Sequence, residues 1–536
     1  MNIEKENVIK NKNEAIRLLN NYLDTCISTD NKHLKKANLI SYWLKDYIRY
    51  IANEETFSSE KLKKYNRGDV IKVNLGFNIG NEEGGLHYCV ILDIINAKKY
   101  SKKYMEFLDK SRTEYLCAAE CLKMLKDAGF KNITECEKLN VGDKVYFVNK
   151  EKSIFASVIG KDDLKNGVNI VGSHIDSPRL DLKPMPLIEN QNMALFKTQF
   201  YGGIKKYQWL SIPLEMHGVV YTEDNEKVEI SVGGEDDDFC FTIADLLPHL
   251  AKDQLSKNAT EFIDAEKMSV LVGNIKDEKA KKNKVKENIL KILNEKYGIK
   301  EIDFVRSDIS FVPAFKTRYI GFDKSMIGGY GHDDRVCSYA NVKAIIDAAS
   351  ENKKLNKTAI CLLVDKEEIG SVGNTSMSTQ AFDLFSKMII SKTGNKELSE
   401  LEMYYNSKML SADVTAAVDP DYDEVSDVPN GNVIGCGVAI EKYTGGSGKY
   451  SASEATAKFT SEVTQIFDKN DVIYQFGVLG KQGKGGGGTI AYILANKGID
   501  VIDCGTPVLA MHSPFEVVSV YDTYMTYLAY KTFFNS

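Results

Sequence analysis

From Ser111 onward, short apolar runs rich in β-branched residues alternate with stretches whose apolar residues recur every three or four positions. GVNIVGSHID, TAICLLVDKE, KMLSADVTAAV and GIDVIDCG read as strands; RVCSYANVKAIIDAA and EATAKFTSEVTQIF read as helices between them. Continuous apolar strands need cover on both faces, so this rhythm predicts an α/β domain with a largely parallel sheet sandwiched between helices. Its first helix opens at a capping-box pattern, Ser111 to Glu114, and stops at Gly129. Between about Leu187 and Ser325 the rhythm changes to strand-like pieces (MHGVVYT, KVEISVG, KMSVLVG) and a Lys-rich helix, as expected of an inserted β-rich domain.

The front of the chain has a different style. Residues 1 to about 66 show helical periodicity, as in NEAIRLLNNYL and ANLISYWLKDYIRYI. RGDVIKVNLGFNIGNEEGGLHYCVILDI then gives two strand-like runs around a Gly-containing polar stretch, the pattern of a hairpin. The predicted divisions are 1–98, 104–186, 187–325 and 326–536, the second and fourth forming one domain and the third inserted in it.

At 536 residues the chain exceeds one hydrophobic core, in line with those divisions. A hydrophobic share of 43% and a charged share of 27% are ordinary for a folded globular protein, and a net charge of -6 gives no global field for nucleic acid, although the first 67 residues are Lys-rich. No signal-like start and no run of about 18 apolar residues is present, so membrane and secretory routes are not expected. Ten scattered Cys without a CxxC pair fit reduced thiols in a cytoplasmic protein.

Five segments place metal-binding residue types at the carboxyl ends of the expected strands, where α/β sheets bind ligands. In VGSHIDSPRLDLKP, His174 and Asp176 share a face of an extended segment, so the acid can accept the imidazole's second N–H; a solvated loop is the plainer reading. Asp333 and Asp334 in GGYGHDDRVCSYA precede a helix, where capping is the commoner reason for acids. Glu367 and Glu368 follow the apolar strand TAICLLV and repel one another unless a cation lies near, or else sit on a solvated turn. Asp413 ends a strand in SADVTAAV. In VLAMHSPFEVV, Ser513 to Glu516 reads as another capping box with Pro at the first helical position, leaving His512 just outside a helix. Two of only seven His thus fall at strand ends among several carboxylates, a set suited to a hydrolase holding two divalent ions, zinc, manganese or cobalt. Such a pair, about 3.5–4 Å apart, needs a bridging carboxylate and a second, unligated carboxylate as general base.

The motifs SHIDSPRLDLKP, FDKSMIGGYGHDDRVCSY, DKEEIGS, GGGGTIAYILA and DVIDCGTPVLAMHSPFE resemble the aspartyl aminopeptidase and aminopeptidase I family, the eighteenth family of metallopeptidases, over residues 104–536. The resemblance implies a zinc-peptidase-like α/β/α sandwich with an inserted dimerisation domain, two zinc ions per subunit, and release of N-terminal residues from peptides. It puts terminal ligands on His174, Glu368, Asp413 and His512, the bridge on Asp333, the general base on Glu367 and a supporting acid on Asp176. It also implies a tetrahedral homododecamer in which His249, in LLPHLAKDQ, reaches a neighbouring subunit's site.

Ala416 stands where acidic-specific relatives carry His, and the run GKQGKGGGGTIAY looks like the bacterial aminopeptidase I branch. Neutral or apolar N-terminal residues are therefore expected, with Lys442 and Lys449 the candidates to pair an acidic one. A di-zinc deacylase or carboxypeptidase and an acidic-specific aspartyl aminopeptidase are the alternatives. RGDVIKVNLGFNIGNEEGGLHYCVIL resembles the opening hairpin of PemK/MazF-like toxin endoribonucleases, truncated and with Leu86, His87 and Tyr88 in place of their Arg-Pro. A nucleic-acid or antitoxin-binding module in residues 1–98 is the reading from another class.

Overall fold

A computed structural model describes residues 3–28, 33–34, 37–38, 41, 70–74, 86–90, 94–350, 354–446, 450–484 and 486–536. The chain divides into two compact units, Met1–Asp93 and Ile94–Ser536. The first holds the helix Ile3–Ile27 and an antiparallel pair, Val70–Asn74 with Leu86–Val90. Most of ANLISYWLKDYIRYI lies outside the described residues. The helix Ile94–Lys110, across which the expected division at 98 to 104 falls, is continuous and belongs to the second unit: Tyr100, Tyr104, Phe107 and Leu108 are buried in its core.

That second unit is built on a nine-stranded sheet in the order Tyr474–Gly477, Val438–Glu441, Asp500–Gly505, Lys408–Ser411, Asn169–His174, Ala359–Val364, Ser153–Val158, Lys144–Asn149 and Lys131–Asn132. The four middle strands, from Asp500–Gly505 to Ala359–Val364, are parallel, and antiparallel pairs flank them. The sheet is largely parallel with antiparallel exceptions, the tight hairpin of Lys144–Asn149 and Ser153–Val158 and the pairing of Val438–Glu441 with Asp500–Gly505.

Residue parity shows the layers. Along Ala359–Val364, Ala359, Cys361 and Leu363 pack into one core with the helices His332–Ser350 and Val520–Phe534, whereas Ile360, Leu362 and Val364 pack into another with Ala381–Lys392. Successive strand side chains point to opposite faces, and both faces are covered by helices, which is why these strands read as unbroken apolar runs.

Between Arg179 and Pro313 the chain forms a separate six-stranded antiparallel sheet, in the order Lys227–Val232, Leu214–Tyr221, Ser307–Pro313, Arg179–Asn190, Met193–Tyr201, Val270–Gly273. Its own core contains Phe196, Trp209, Phe304 and Phe311, and the Lys-rich helix Lys284–Tyr297 buries Val285 and Leu293 against it. A five-stranded sheet, with Glu516–Ser519 between Met326–Gly329 and Pro507–Leu509, ties the returning chain to the C-terminal segment.

Two local expectations are corrected. The cap of the helix Glu114–Asp127 is Thr113, whose hydroxyl accepts from Leu116 N, not Ser111, which is bonded through its backbone to the preceding helix. Ser513 to Glu516 opens no helix: Glu516 begins a strand, and the helix starts at Val520 behind the cap Ser519. The acid of that motif is engaged elsewhere.

Candidate metal centre

Each strand end delivers one part of the site. His174 is the last residue of its strand and is buried. Its Nε2 lies 3.2 Å from Asp333 Oδ1, 3.6 Å from Asp413 Oδ1 and 4.0 Å from Glu367 Oε2. On the other side of Asp333, His512 Nε2 lies 3.2 Å from Asp333 Oδ2 and 3.3 Å from Glu368 Oε2. Asp333 therefore stands between two imidazoles, one oxygen toward each. His249 sits apart from this cluster on the exposed turn Pro248–Leu250.

Asp176 holds the cluster from behind. Its two oxygens accept the main-chain N–H groups of Glu367 at 3.1 Å and Glu368 at 3.2 Å, and Tyr201 donates its hydroxyl at 2.8 Å. The nearer acceptor for His174 Nδ1 is the Asp176 main-chain oxygen, at 3.0 Å, with the carboxylate at 3.4 Å. Asp176 thus fixes the turn Glu367–Ile369 as much as the imidazole, a role its spacing alone did not announce.

Asp333 and Asp334 lie just before the regular helix, but their carboxylates turn to the site, that of Asp333 toward His174 and His512 and that of Asp334 toward the His174 main chain. Asp334 reaches back to accept His174 N at 3.2 Å, and Asp333 N donates to Glu516 at 3.1 Å. Glu516 also accepts His512 N at 2.7 Å, while His512 Nδ1 meets the Gly203 carbonyl oxygen at 2.8 Å. His512 has a left-handed backbone, φ 65°, which these bonds hold in place. Glu516, Tyr201 and Gly203 were not foreseen as site residues, and Asp334 was paired with Asp333 in the sequence without a role of its own. Tyr201 and Gly203 arrive from the antiparallel sheet and its edge, where no periodicity points at a site.

The electrostatics ask for cations. Burial pushes the Glu367 carboxyl up to about 8 against the pull of His174, and raises Glu368, Asp334 and Asp413, whose acidic neighbours add to the effect. Burial, which lowers an imidazole, is outweighed at His174 by Asp413, Asp176 and Asp333, and at His512 by Asp333 and Glu368, bringing His512 to about 11. Six carboxylates around two imidazoles are poorly compensated by protons. Glu368 Oε1 and Asp334 Oδ1 are buried without a hydrogen-bond partner among the described residues. His174, Asp333 and Glu368 form one group able to hold an ion, and His174, Asp334 and Asp413 another. Oxygen and imidazole donors so arranged fit divalent zinc.

The sequence profile described as Aminopeptidase I zinc metalloprotease (M18) matches residues 107–534. A probable M18 family aminopeptidase 1 from Borrelia garinii subsp. bavariensis is 44% identical over 440 residues, covering 81% of this chain and 95% of the relative. Another from Clostridium acetobutylicum is 45% identical over 441 residues, covering 81% and 94%. The crystal structure of an M18 aminopeptidase from Thermotoga maritima superposes with a TM-score of 0.79 at 43% identity, covering 82% of this chain and 97% of that one. The chain therefore belongs to the M18 aminopeptidase family and is a zinc-dependent metallo-aminopeptidase.

Proposed function

We propose that the enzyme hydrolyses the bond after the first residue of a peptide at a two-ion centre, His174 and Asp413 serving one ion, Glu368 and His512 the other, and Asp333 bridging. The single observation that carries this is the position of Asp333, with one carboxylate oxygen toward His174 and the other toward His512. Divalent ions held by these residues would supply Lewis-acid chemistry, polarising a carbonyl and lowering the pKa of a water. Glu367 takes the proton from that water and passes it to the departing amine. The position of Glu367 leaves it free to do so, since its Oε2 is no closer than 4.0 Å to His174 Nε2, whereas Glu368 lies within hydrogen-bond range of His512. Asp176 holds both glutamates by their backbones, so the base and its neighbouring ligand keep a fixed separation.

Metal analysis of the purified protein, run beside hydrolysis of free-amine and N-acylated aminoacyl anilides, tests the reading. Two ions per subunit and release from free amines only are expected; release from N-acylated substrates only overturns it in favour of a deacylase.

Assembly into a tetrahedral homododecamer is part of the proposal. A structural neighbour is the S. cerevisiae mApe1 dodecamer, related in fold at 20% identity and a TM-score of 0.66. In this chain Leu246, Leu247, Leu250 and Leu255 are exposed around His249, an apolar surface consistent with burial against another subunit, where His249 serves the neighbouring site. Among the described residues no helix is long and apolar enough to cross a membrane, in keeping with a cytoplasmic location. Placement in the bacterial aminopeptidase I branch and a PemK/MazF-like origin for residues 1–98 belong to the same reading, with no catalytic role assigned to that segment. Discrimination against acidic N-terminal residues is supported by Ala416 and by Lys442, whose ammonium is bonded to the Tyr443 hydroxyl at 2.9 Å; Lys449 lies outside the described residues.

A further inference from the structure

A cavity of about 560 Å³ is walled by the paired strands Tyr443–Gly446 and Tyr450–Glu454 and by the Gly-rich segment that follows Val478. Glu441, at the end of the strand Val438–Glu441, forms its inner wall. Glu441 is only 7% exposed. One of its oxygens, Oε1, accepts from the Thr415 hydroxyl and from Asn432 Nδ2 at 3.1 Å, and Thr415 lies two residues beyond Asp413. Oε2 has no partner among the described residues, although the side chain is more than nine-tenths buried.

The rest of the lining is informative by its charges. Asp427 and Glu454 also face the cavity, and no Lys, Arg or His does among the described residues. Of the neighbouring cations, Lys442 bonds the Tyr443 hydroxyl and Lys481 the Glu424 carbonyl oxygen. Val478, Leu479 and Ala452 supply an apolar stretch of wall. An aliphatic stem ending in a cation is the chemistry that such a wall and such an end accept, since an ionised carboxylate in a buried site requires a counter-charge. A leucine side chain in the same space leaves Glu441 Oε2 unpaired, and an aspartate or glutamate side chain adds repulsion.

We propose that this cavity receives the side chain of the substrate's first residue and that Glu441 selects lysine and arginine there. The inference rests on the aminopeptidase reading above and replaces the expected preference for apolar residues with one for basic residues. The strands and the Gly-rich segment shape the pocket; Glu441 provides the charge that decides.

The test compares kcat/KM for lysyl, arginyl, leucyl and glutamyl anilides with the metal-loaded full chain. Lysyl and arginyl substrates are expected to exceed leucyl by about tenfold or more, the scale of one charge-assisted hydrogen bond in a dry site. In Glu441→Gln the lysyl-to-leucyl ratio is expected to collapse toward one, and in Glu441→Lys to invert, with glutamyl substrates gaining. If Glu441→Gln is poorly folded by circular dichroism, the double variant Asp427→Asn, Glu454→Gln decides instead, since its ratio should still fall several-fold. A wild-type enzyme that cleaves leucyl as well as lysyl substrates, or variants with an unchanged ratio, overturns the proposal and leaves the aminopeptidase reading standing. Absence of hydrolysis of every free-amine substrate removes both.

Discussion

Glu516 accepts the main-chain N–H of His512 at 2.7 Å through one oxygen, and through the other the N–H of Asp333 at 3.1 Å. One buried carboxylate therefore locks the backbones of two candidate ligands that lie far apart in sequence. Glu516→Gln leaves a single acceptor oxygen and turns an NH₂ group toward one of the two donors. Zinc affinity is expected to fall about 10- to 100-fold, the usual cost of losing support behind a ligand. Competition with a chelator measures it; unchanged affinity would show that the strands alone hold His512 and Asp333.

Glu367→Gln is expected to keep the full complement of metal and lose turnover by several orders of magnitude, because the amide cannot accept a proton while the neighbouring ligands stay in place. Metal content and kcat measured on the same preparation check both halves. Loss of an ion in this variant would move Glu367 from base to ligand.

Asp333→Ala should behave differently. Without the carboxylate between His174 and His512, two cations face each other with no anion between them, so the stoichiometry itself is expected to drop below two. Finding two ions per subunit in Asp333→Ala would show the bridge to be misassigned, with Asp334 the next candidate.

Asp522 accepts the N–H groups of Gly435 and Gly437, both at 2.7 Å. Burial nonetheless pushes its carboxyl from 3.8 up to about 7. A folded value above the unfolded one means that this group's contribution to stability is complete below about pH 4 and is lost as pH rises through about 7. Measured against Asp522→Asn, which does not titrate, the wild-type Tm should decline relative to the variant between about pH 5 and pH 8. A difference that stays constant with pH would mean that the two N–H bonds, not burial, set the ionisation.

The exposed leucines around His249 give a last prediction. Leu247→Asp with Leu250→Asp places charges in the proposed contact surface and is expected to reduce the particle seen by light scattering from about twelve subunits to smaller species. Undiminished size would assign the contact to another face.

The parts of this architecture that could be read from sequence are those where one physical cause dominates. Ala359–Val364 is buried on both faces, so its apolar run marked it as a strand, and Glu367 and Glu368 followed as the acids at its mouth. His174 and Asp413 stood out on the same grounds. Glu516 was misread because Ser-Pro-Phe-Glu satisfies the local pattern of a helix start, whereas the acid answers to a donor from Asp333 brought alongside by the strand Met326–Gly329. The same failure of local patterns hid Tyr201, whose hydroxyl reaches Asp176 from the antiparallel sheet. Glu441 was invisible for another reason: a single acid among Thr, Gly and Tyr residues carries no periodicity, and only the cavity beside it gives it meaning.

Because the four parallel strands lie in the order Asp500–Gly505, Lys408–Ser411, Asn169–His174 and Ala359–Val364, the strand made first sits inside the sheet and the one made last lies at the end of the row. During synthesis on the ribosome, His174 emerges long before His512, with the whole antiparallel sheet and the helices His332–Ser350 and Ala381–Lys392 in between. The proposed two-ion centre is thus incomplete in the nascent chain until its late segments have joined the row. The side chains that define the site are therefore brought together only when the last-made strand and the segment carrying His512 have taken their places.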